Sequence, residues 1–453
     1  MKFFDTLNNI WKITELKDRI VLTLGLLLVY RFGAQVVLPG IDSNKLSILT
    51  DENAGGLLGL LNAFTGGGFA NASVFALGIM PYISASIVVQ LMGIAIPYLQ
   101  KLQKEGESGR RKINQITRWL TIAICLVQSP AYLTSIPALS GASSMSAILY
   151  PGFSPTIFTF SSIIILVTGC IFAMWLGEKI TDKGIGNGIS LLIMVGIIAT
   201  MPQAFIQEYA ARVTESNGGL IMILIELVIW FLIILACVML VMAVRKIAVQ
   251  YARRTASGGY EKNVFGSRQY IPLKLNASGV MPIIFAQAIM FVPSLIGGTD
   301  MLKDTAVGQW LQTQFADLFG FTYNLVFALL IIVFTYFYTA ITVPTNKIAD
   351  DLKRSGGFIP GIRPGSETSE YLDKIMSQIT LPGSIFLALI AIFPAFIVKL
   401  MNVQQNWAIF FGGTSLLIMV GVAIDTMQQV NSYLLNKHYD GLMKTGKNRK
   451  AVA

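Results

Sequence analysis

The stretch that decides the fold runs from Gly55 to Gln100, GGLLGLLNAFTGGGFANASVFALGIMPYISASIVVQLMGIAIPYLQ. Its first part, Leu57-Leu58-Gly59-Leu60-Leu61-Asn62-Ala63-Phe64, is a short apolar run between the pair Gly55-Gly56 and the triplet Gly66-Gly67-Gly68. As a helix it would be about 12 Å long, against a bilayer core of about 30 Å. It is too short to cross. The glycines at both ends have little backbone restriction and predict a small apolar plug on two hinges. A full-length apolar segment follows from about Ser73 to Tyr98, and Pro81 near its middle predicts a bend or loosened backbone there. In lipid the lost donor has to be replaced by neighbouring protein or a water-filled cavity. A re-entrant loop and a kinked span that serve packing alone fit these residues equally well.

Composition fixes the solvent. Of 453 residues 54% are hydrophobic and 13% charged, against roughly 25% charged in soluble domains, and mean hydropathy is +0.64. The chain reads as a polytopic membrane protein. Its first residues, MKFFDTLNNIWKITELKDRI, are too polar and too mixed in charge for a signal peptide, so the first span is expected to be retained. Cys125, Cys170 and Cys237 lie far apart inside apolar segments and suggest small core residues, not a disulfide framework or a metal site. The single histidine, His438, lies in the polar C-terminal stretch, outside the apolar segments.

A window of about twenty apolar residues predicts ten spans, near 20–38, 73–98, 114–136, 155–177, 184–202, 219–244, 275–296, 321–343, 380–400 and 405–427. The N-terminus, 101–118, 179–183, 245–274, 347–374 and the tail from Lys437 together hold 29 of the 34 Lys and Arg. By the positive-inside rule these segments, and both termini, are expected to be cytoplasmic. The net charge of +10 is then a basic cytoplasmic face that also suits anionic lipids.

Two of these basic segments are longer than charge retention requires: 245–274, and 344–379 with its sequence PGIRPG. They read either as basic tethers or as a docking platform for an acidic cytoplasmic partner, with Arg363 presented between Pro360-Gly361 and Pro364-Gly365.

An internal repeat divides the chain. Gly78-Ile79-Met80-Pro81-Tyr82-Ile83-Ser84-Ala85 in the second span matches Gly279-Val280-Met281-Pro282-Ile283-Ile284-Phe285-Ala286 in the seventh at Gly, Met, Pro, Ile and Ala. Each copy sits second in a set of five spans, so the two run in opposite directions. That is an inverted-topology repeat, which places a functional path at the interface of two halves. The expected fold is therefore an all-α polytopic membrane protein with ten transmembrane helices in two inverted-repeat halves of five. The first half covers 1–205, with the plug segment 55–68. The second covers 206–435, with the cytoplasmic loops 245–274 and 344–379, and 436–453 forms a tail.

Ionisable residues within spans mark ion and proton pathways. Those expected inside are Arg31, Glu226 and Asp425. Arg31 and Glu226 suit snorkelling or an ion pair better than a relay. With no intramembrane His there is no HExxH motif and no Ser-His dyad, and no Walker-type phosphate loop occurs. A coupled transporter, a membrane protease and a self-contained ATPase are all disfavoured. The spans do offer branched aliphatic side chains beside the prolines, Ile79 with Ile83 and Ile189 with Ile193, each pair four apart and on one helix face. They suit ordinary packing or an apolar constriction that seals without holding what passes.

Several motifs in one order resemble the SecY family, the large subunits of the bacterial protein-conducting channel. They include WKITELKDRI with YRFGAQVVLPGID, FALGIMPYISASIVVQL, KEGESGRRKINQITR, EKITDKGIGNGIS, IPLKLNASGVMPIIFA, SGGFIPGIRPGSETSEYLDKIM and FGGTSLLIMV. The resemblance implies a clamshell of two halves around a central pore and no enzymatic activity or cofactor. It implies a pore ring of Ile79, Ile83, Ile189, Ile193, Ile284 and Ile418, with Leu57 to Phe64 as the plug. It further implies a lateral gate with polar positions Ser86, Gln90, Thr121 and Asn276. The implied partners are the small subunits SecE and SecG, the SecA ATPase, the ribosome and unfolded signal-bearing polypeptides, at a bacterial plasma membrane. Arg363 matches the family's loop arginine. The tip ASGGYEKNVFG departs from the family pattern, so Arg253 and Arg254 stand in as docking residues. A secondary transporter of inverted-repeat design and an insertase without a sealed pore are the rival readings.

Overall fold

The structure, a computed structural model, describes residues 13–42, 62–139, 147–151, 154–214, 219–251, 268–297 and 305–449. Leu57 to Leu61, the Gly55-Gly56 pair, Arg253, Arg254 and the loop tip that follows them lie outside these residues. The chain separates into two compact units: one holds Met1–Glu215, Gln404–Ile409 and Val422–Ala453, the other Ser216–Val403 and Phe410–Gly421.

In the first unit the principal helices are α1 (Thr14–Gln35), α2 (Met80–Ala95), α3 (Pro97–Lys104), α4 (Glu107–Leu139), α5 (Pro155–Lys183) and α6 (Gly188–Thr214). The second contains α7 (Gly219–Met242), β1 (Val244–Tyr251), β2 (Arg268–Lys274), α8 (Met281–Gly297), α9 (Ala306–Ala316), α10 (Phe321–Thr342), α11 (Thr345–Arg354), β3 (Gly357–Phe358) and α12 (Ser366–Met401). A short α13 (Gln405–Ala408), a 3₁₀ turn (Ile409–Phe411) and α14 (Gly413–Arg449) complete the chain. Helix covers part or all of every expected span. Among the described residues six helices are long and apolar enough to cross a membrane, or up to eight if each of two bent pairs is one span. α8 has only 17 residues, and α1 carries Asp18 and Arg19 near its start and Arg31 near its end.

The prolines of the repeat do not act as expected. Residues 74–79 form turns, α2 begins at Met80, and Pro81 occupies its first turn, where a missing N–H leaves no bond unmade. Pro81 starts the helix; it does not bend it. The bend falls at Ile96, before Pro97, where α2 and α3 diverge by 102°, because the residue before a proline is driven out of the helical region. Pro282 holds the equivalent place in α8. Gly78 and Gly279, each two residues before helix start, have φ of +53° and +64°, a conformation that favours glycine. The repeat is thus a local structural signal, a left-handed glycine followed by a proline-started helix.

The first unit is knitted around its turns. Val36 accepts from the Val74 amide and Ala72 from the Leu38 amide, at 2.8 and 2.9 Å. Leu38, Ile41, Ala72, Ala76, Tyr132, Leu133, Ile136, Ile148, Leu149, Phe158 and Leu166 form a core there. The turn between α5 and α6 is held by α1 and α14: Ile185 donates to Thr23 Oγ1 at 3.1 Å and Gly186 to Gln429 Oε1 at 2.8 Å.

The second unit departs from the all-α expectation. The described parts of the two long basic segments meet in a three-stranded antiparallel sheet of order β2-β1-β3. β1 pairs β2 from Val244↔Lys274 to Gln250↔Arg268, and β3 at Gln250↔Phe358. Ile247 and Val249 face inward, two residues apart as strand period requires. Pro272 is accommodated because β2 is an edge strand. The sheet packs with α11 and the first turns of α12 around Leu273, Leu352, Ile359, Leu372, Ile375, Met376 and Ile379. Thr345 donates to Asp373 Oδ1 at 2.7 Å and Ser369 to Asn346 Oδ1 at 2.6 Å, which locks α11 to α12. Long local runs of polar residues concealed a small apolar core.

Candidate functional site: a plug stem beside apolar helix faces

The last three residues of the apolar run and their neighbour Thr65, 62–65, form a helical turn. Its end is a Schellman motif: the Gly67 amide donates to Asn62 O at 2.9 Å and the Gly66 amide to Ala63 O at 3.2 Å, with Gly66 at φ +65°. Asn62 Oδ1 accepts from the Ala70 amide at 3.0 Å, and Tyr132 donates to Phe69 O at 2.7 Å. The glycine triplet is therefore not a free hinge. It is a tightly bonded stem, and Gly66 is required both for its left-handed φ and for space: a Cβ there would lie 2.9 Å from Gly196 Cα.

Two further contacts place this stem. A Cβ on Gly196, in α6, would lie 2.5 Å from Phe64 O. One on Gly78 would lie 3.1 Å from Thr65 Cγ2. Positions 189, 193 and 196 share one helix face by the i, i+4, i+7 rule, so the stem rests on the face that carries Ile189 and Ile193. Gly78 precedes Ile79, whose carbonyl accepts from the Ile83 amide at 3.1 Å. The four isoleucines expected from the first half thus sit on the two elements that grip the stem. Ile79, Ile83 and Ile193 are buried and Ile189 half-buried. In the second unit a Cβ on Gly421 would lie 3.3 Å from Val280 Cγ2. Ile418 is three residues before Gly421 and Ile284 four after Val280, so these two positions lie on helix faces that meet there.

The polar positions named for the gate lie on α2, on α4 and in the turn before α8. Ser86 accepts from Gln90 Nε2 at 3.3 Å along α2. Thr121 is wholly buried on the neighbouring α4 and donates to Thr117 O at 2.7 Å, so its hydroxyl is committed to its own helix. Asn276, in the turn before α8, accepts from Ser278 Oγ at 3.2 Å. Arg363 stands out of the platform with its side chain 88% exposed, 3.7 Å from Glu367. Such an exposed pair is worth about 0–1 kcal/mol, so the guanidinium remains available. Gly361 and Gly365 on either side of it have φ of +87° and +122°, and Thr368 holds the Arg363 carbonyl at 2.8 Å.

Three polar contacts escaped the sequence reading. Arg31 was expected to snorkel or form an ion pair; its Nη1 donates to Gly66 O at 2.7 Å. Glu208 and Arg212, read as lying beyond the fifth span, belong to α6, which runs on to Thr214. They form a buried pair at 2.7 Å, 2% and 4% exposed, and Glu208 also accepts from the Gln404 amide at 2.8 Å. Their i, i+4 spacing was the available signal. Arg118 and Glu178 join α4 to α5 through two hydrogen bonds of 3.0 and 2.6 Å.

A multi-pass membrane architecture with a gripped apolar stem and a separate ordered platform is that of a protein-conducting channel. Solved structures agree in fold: a protein-conducting channel (TM-score 0.58, 16% identity, 91% of each chain covered) and Sec61 in a canine ribosome–channel complex from the endoplasmic reticulum (TM-score 0.54, 16% identity, 91% of each chain). A family model described as SecY matches residues 73–427. The chain is 39% identical over 436 residues to the protein translocase subunit SecY of Escherichia coli K12, covering 95% of this chain and 94% of that one. It is 40% identical over 449 residues to that of Halalkalibacterium halodurans, covering 97% and 100%. The chain belongs to the SecY family.

Proposed function

We propose that this chain is the pore subunit of a bacterial plasma-membrane translocase, with ten spans in two inverted halves and both termini cytoplasmic. Unfolded secretory polypeptides pass through it, and apolar helices leave sideways into lipid past Ser86, Gln90, Thr121 and Asn276. Ile79, Ile83, Ile189, Ile193, Ile284 and Ile418 form the constriction, and Leu57 to Phe64 plug it. Branched aliphatic side chains offer no charge or hydrogen bond to a passing chain, and when closed they exclude water. The observation that carries the reading is the seat of the 62–68 stem on the elements that bear Ile79, Ile83, Ile189 and Ile193.

The driving force comes from outside, from SecA or the ribosome, docking on the platform through Arg363, with Arg253 and Arg254 on the loop between β1 and β2. Relatives of the fold solved with ribosomes support this. SecE and SecG complete the complex, and anionic lipids meet the basic face. The test is reconstitution of the complex in liposomes with the motor. Passage of a signal-bearing polypeptide, with no flux of small solutes, is the expected result. Flux of a small solute coupled to an ion gradient would make it a transporter.

A further inference from the structure

Arg31 is the feature left unexplained by the channel reading. A guanidinium in the last turns of a helix expected to lie in a membrane is expensive to place there and marks a role. Its Nη1 donates to Gly66 O at 2.7 Å, the carbonyl of the residue that ends the 62–65 turn. Hydrogen bonds from a charged donor are the strong ones. The same carbonyl-bearing residue is wedged against Gly196. One side of the stem is therefore held by charge and the other by close backbone approach.

We propose that Arg31 is a clasp: a positioning residue that holds the plug's C-terminal stem in the closed channel, so that Gly66 is the fixed end about which the plug must be released. This rests on the plug reading above. Opening then requires loss of one charge-assisted bond in addition to removal of the apolar run from the ring, and Gly196 sets how closely the stem can seat.

The test is resting ion conductance of the reconstituted complex, with Arg31→Met, Arg31→Lys and the deletion of 57–64 measured singly and with Arg31→Met combined with the deletion. Loss of a hydrogen bond to a charged donor should move the plugged-to-unplugged ratio about ten-fold or more, so Arg31→Met is expected to raise leak, Arg31→Lys to retain most of the seal, and Arg31→Met to add nothing once the plug is deleted. If the deletion leaks and folded Arg31→Met does not, or if Arg31→Met adds leak to the deletion, the clasp is wrong and the plug reading stands. If the deletion itself does not leak, both fall. Should Arg31→Met fail to accumulate, Gly196→Ala decides in the same assay: it should lift the stem and leak, with no further effect in the deletion, and a tight Gly196→Ala channel overturns the clasp.

Discussion

The two copies of the repeat begin their helices alike and differ in what precedes them. Gly78 and Gly279 share the left-handed φ, and Pro81 and Pro282 share the helix start. Before α2 stands the stem, with Thr65 close against Gly78; before α8 stands β2 of the platform, and a Cβ on Gly279 meets nothing among the described residues within 4 Å. Under the proposed function, one fold element used twice follows the plug stem in one half and leads out of the docking platform in the other. The difference makes a prediction of the proposed function: variants of the stem and its seat should change leak, and variants of the platform should change driven secretion.

The largest effect is expected from deleting Leu57 to Phe64. The protein should remain folded, because the cluster from Leu38 to Leu166 in the first unit is built on residues outside that run and only Ala63 and Phe64 of the described part of the run are buried core, and resting ion leak should rise many-fold. An unfolded subunit, with no leak in whatever survives, would make the run a packing element and remove half the comparison. Next comes Arg363→Glu, which reverses the one highly exposed charge in the PGIRPG turn. Motor-driven secretion should be lost while leak and folding stay unchanged, since a planar guanidinium fork is not replaced by other charge geometries. Normal secretion would remove Arg363 from docking, and raised leak would show that the platform also governs the seal. Smaller still is the contrast between Gly279→Ala and Gly78→Ala. Left-handed φ costs a non-glycine residue about 1–2 kcal/mol, so both should lower stability by about that much in thermal melts of the purified complex. Gly78→Ala should lose more, because its Cβ also crowds Thr65. Equal losses would mean that the stem does not press on the helix start.

Much of this was legible in the sequence where one residue type dictates one local outcome. The apolar runs marked the helices, and the GxMP repeat was visible, although its place at two helix starts was not read from it. Pro81 misled because proline has two meanings in a helix: a break in the interior and a good first-turn residue. Choosing between them needs the helix boundary, which an unbroken apolar run from Ser73 hides. The platform was concealed for a different reason. Its core is assembled from residues about a hundred positions apart, Ile247 with Leu352 and Leu372, and its strands are short and rich in Lys and Arg. Glycines 66 to 68 looked like freedom because glycine permits both movement and close approach, and only the position of Gly196 and Arg31 separates the two. The buried Glu208–Arg212 pair was missed because the apolar window stopped at Pro202 while the helix did not. Breaking such a pair by removing one partner typically costs about 3–5 kcal/mol, which makes it a substantial anchor for the 404–408 segment.

The central claim is that the isoleucines form a seal to which both halves contribute. Ile83 and Ile284 are the two positions related by the repeat, one in each unit, so Ile83→Asn and Ile284→Asn should act in the same direction. The direct measurement is resting conductance beside export of a signal-defective reporter in each single variant. The account predicts that both quantities rise in both variants, because a hydrated constriction weakens the closed state. Unchanged conductance and unchanged export in both folded variants would place these isoleucines in ordinary packing and contradict it.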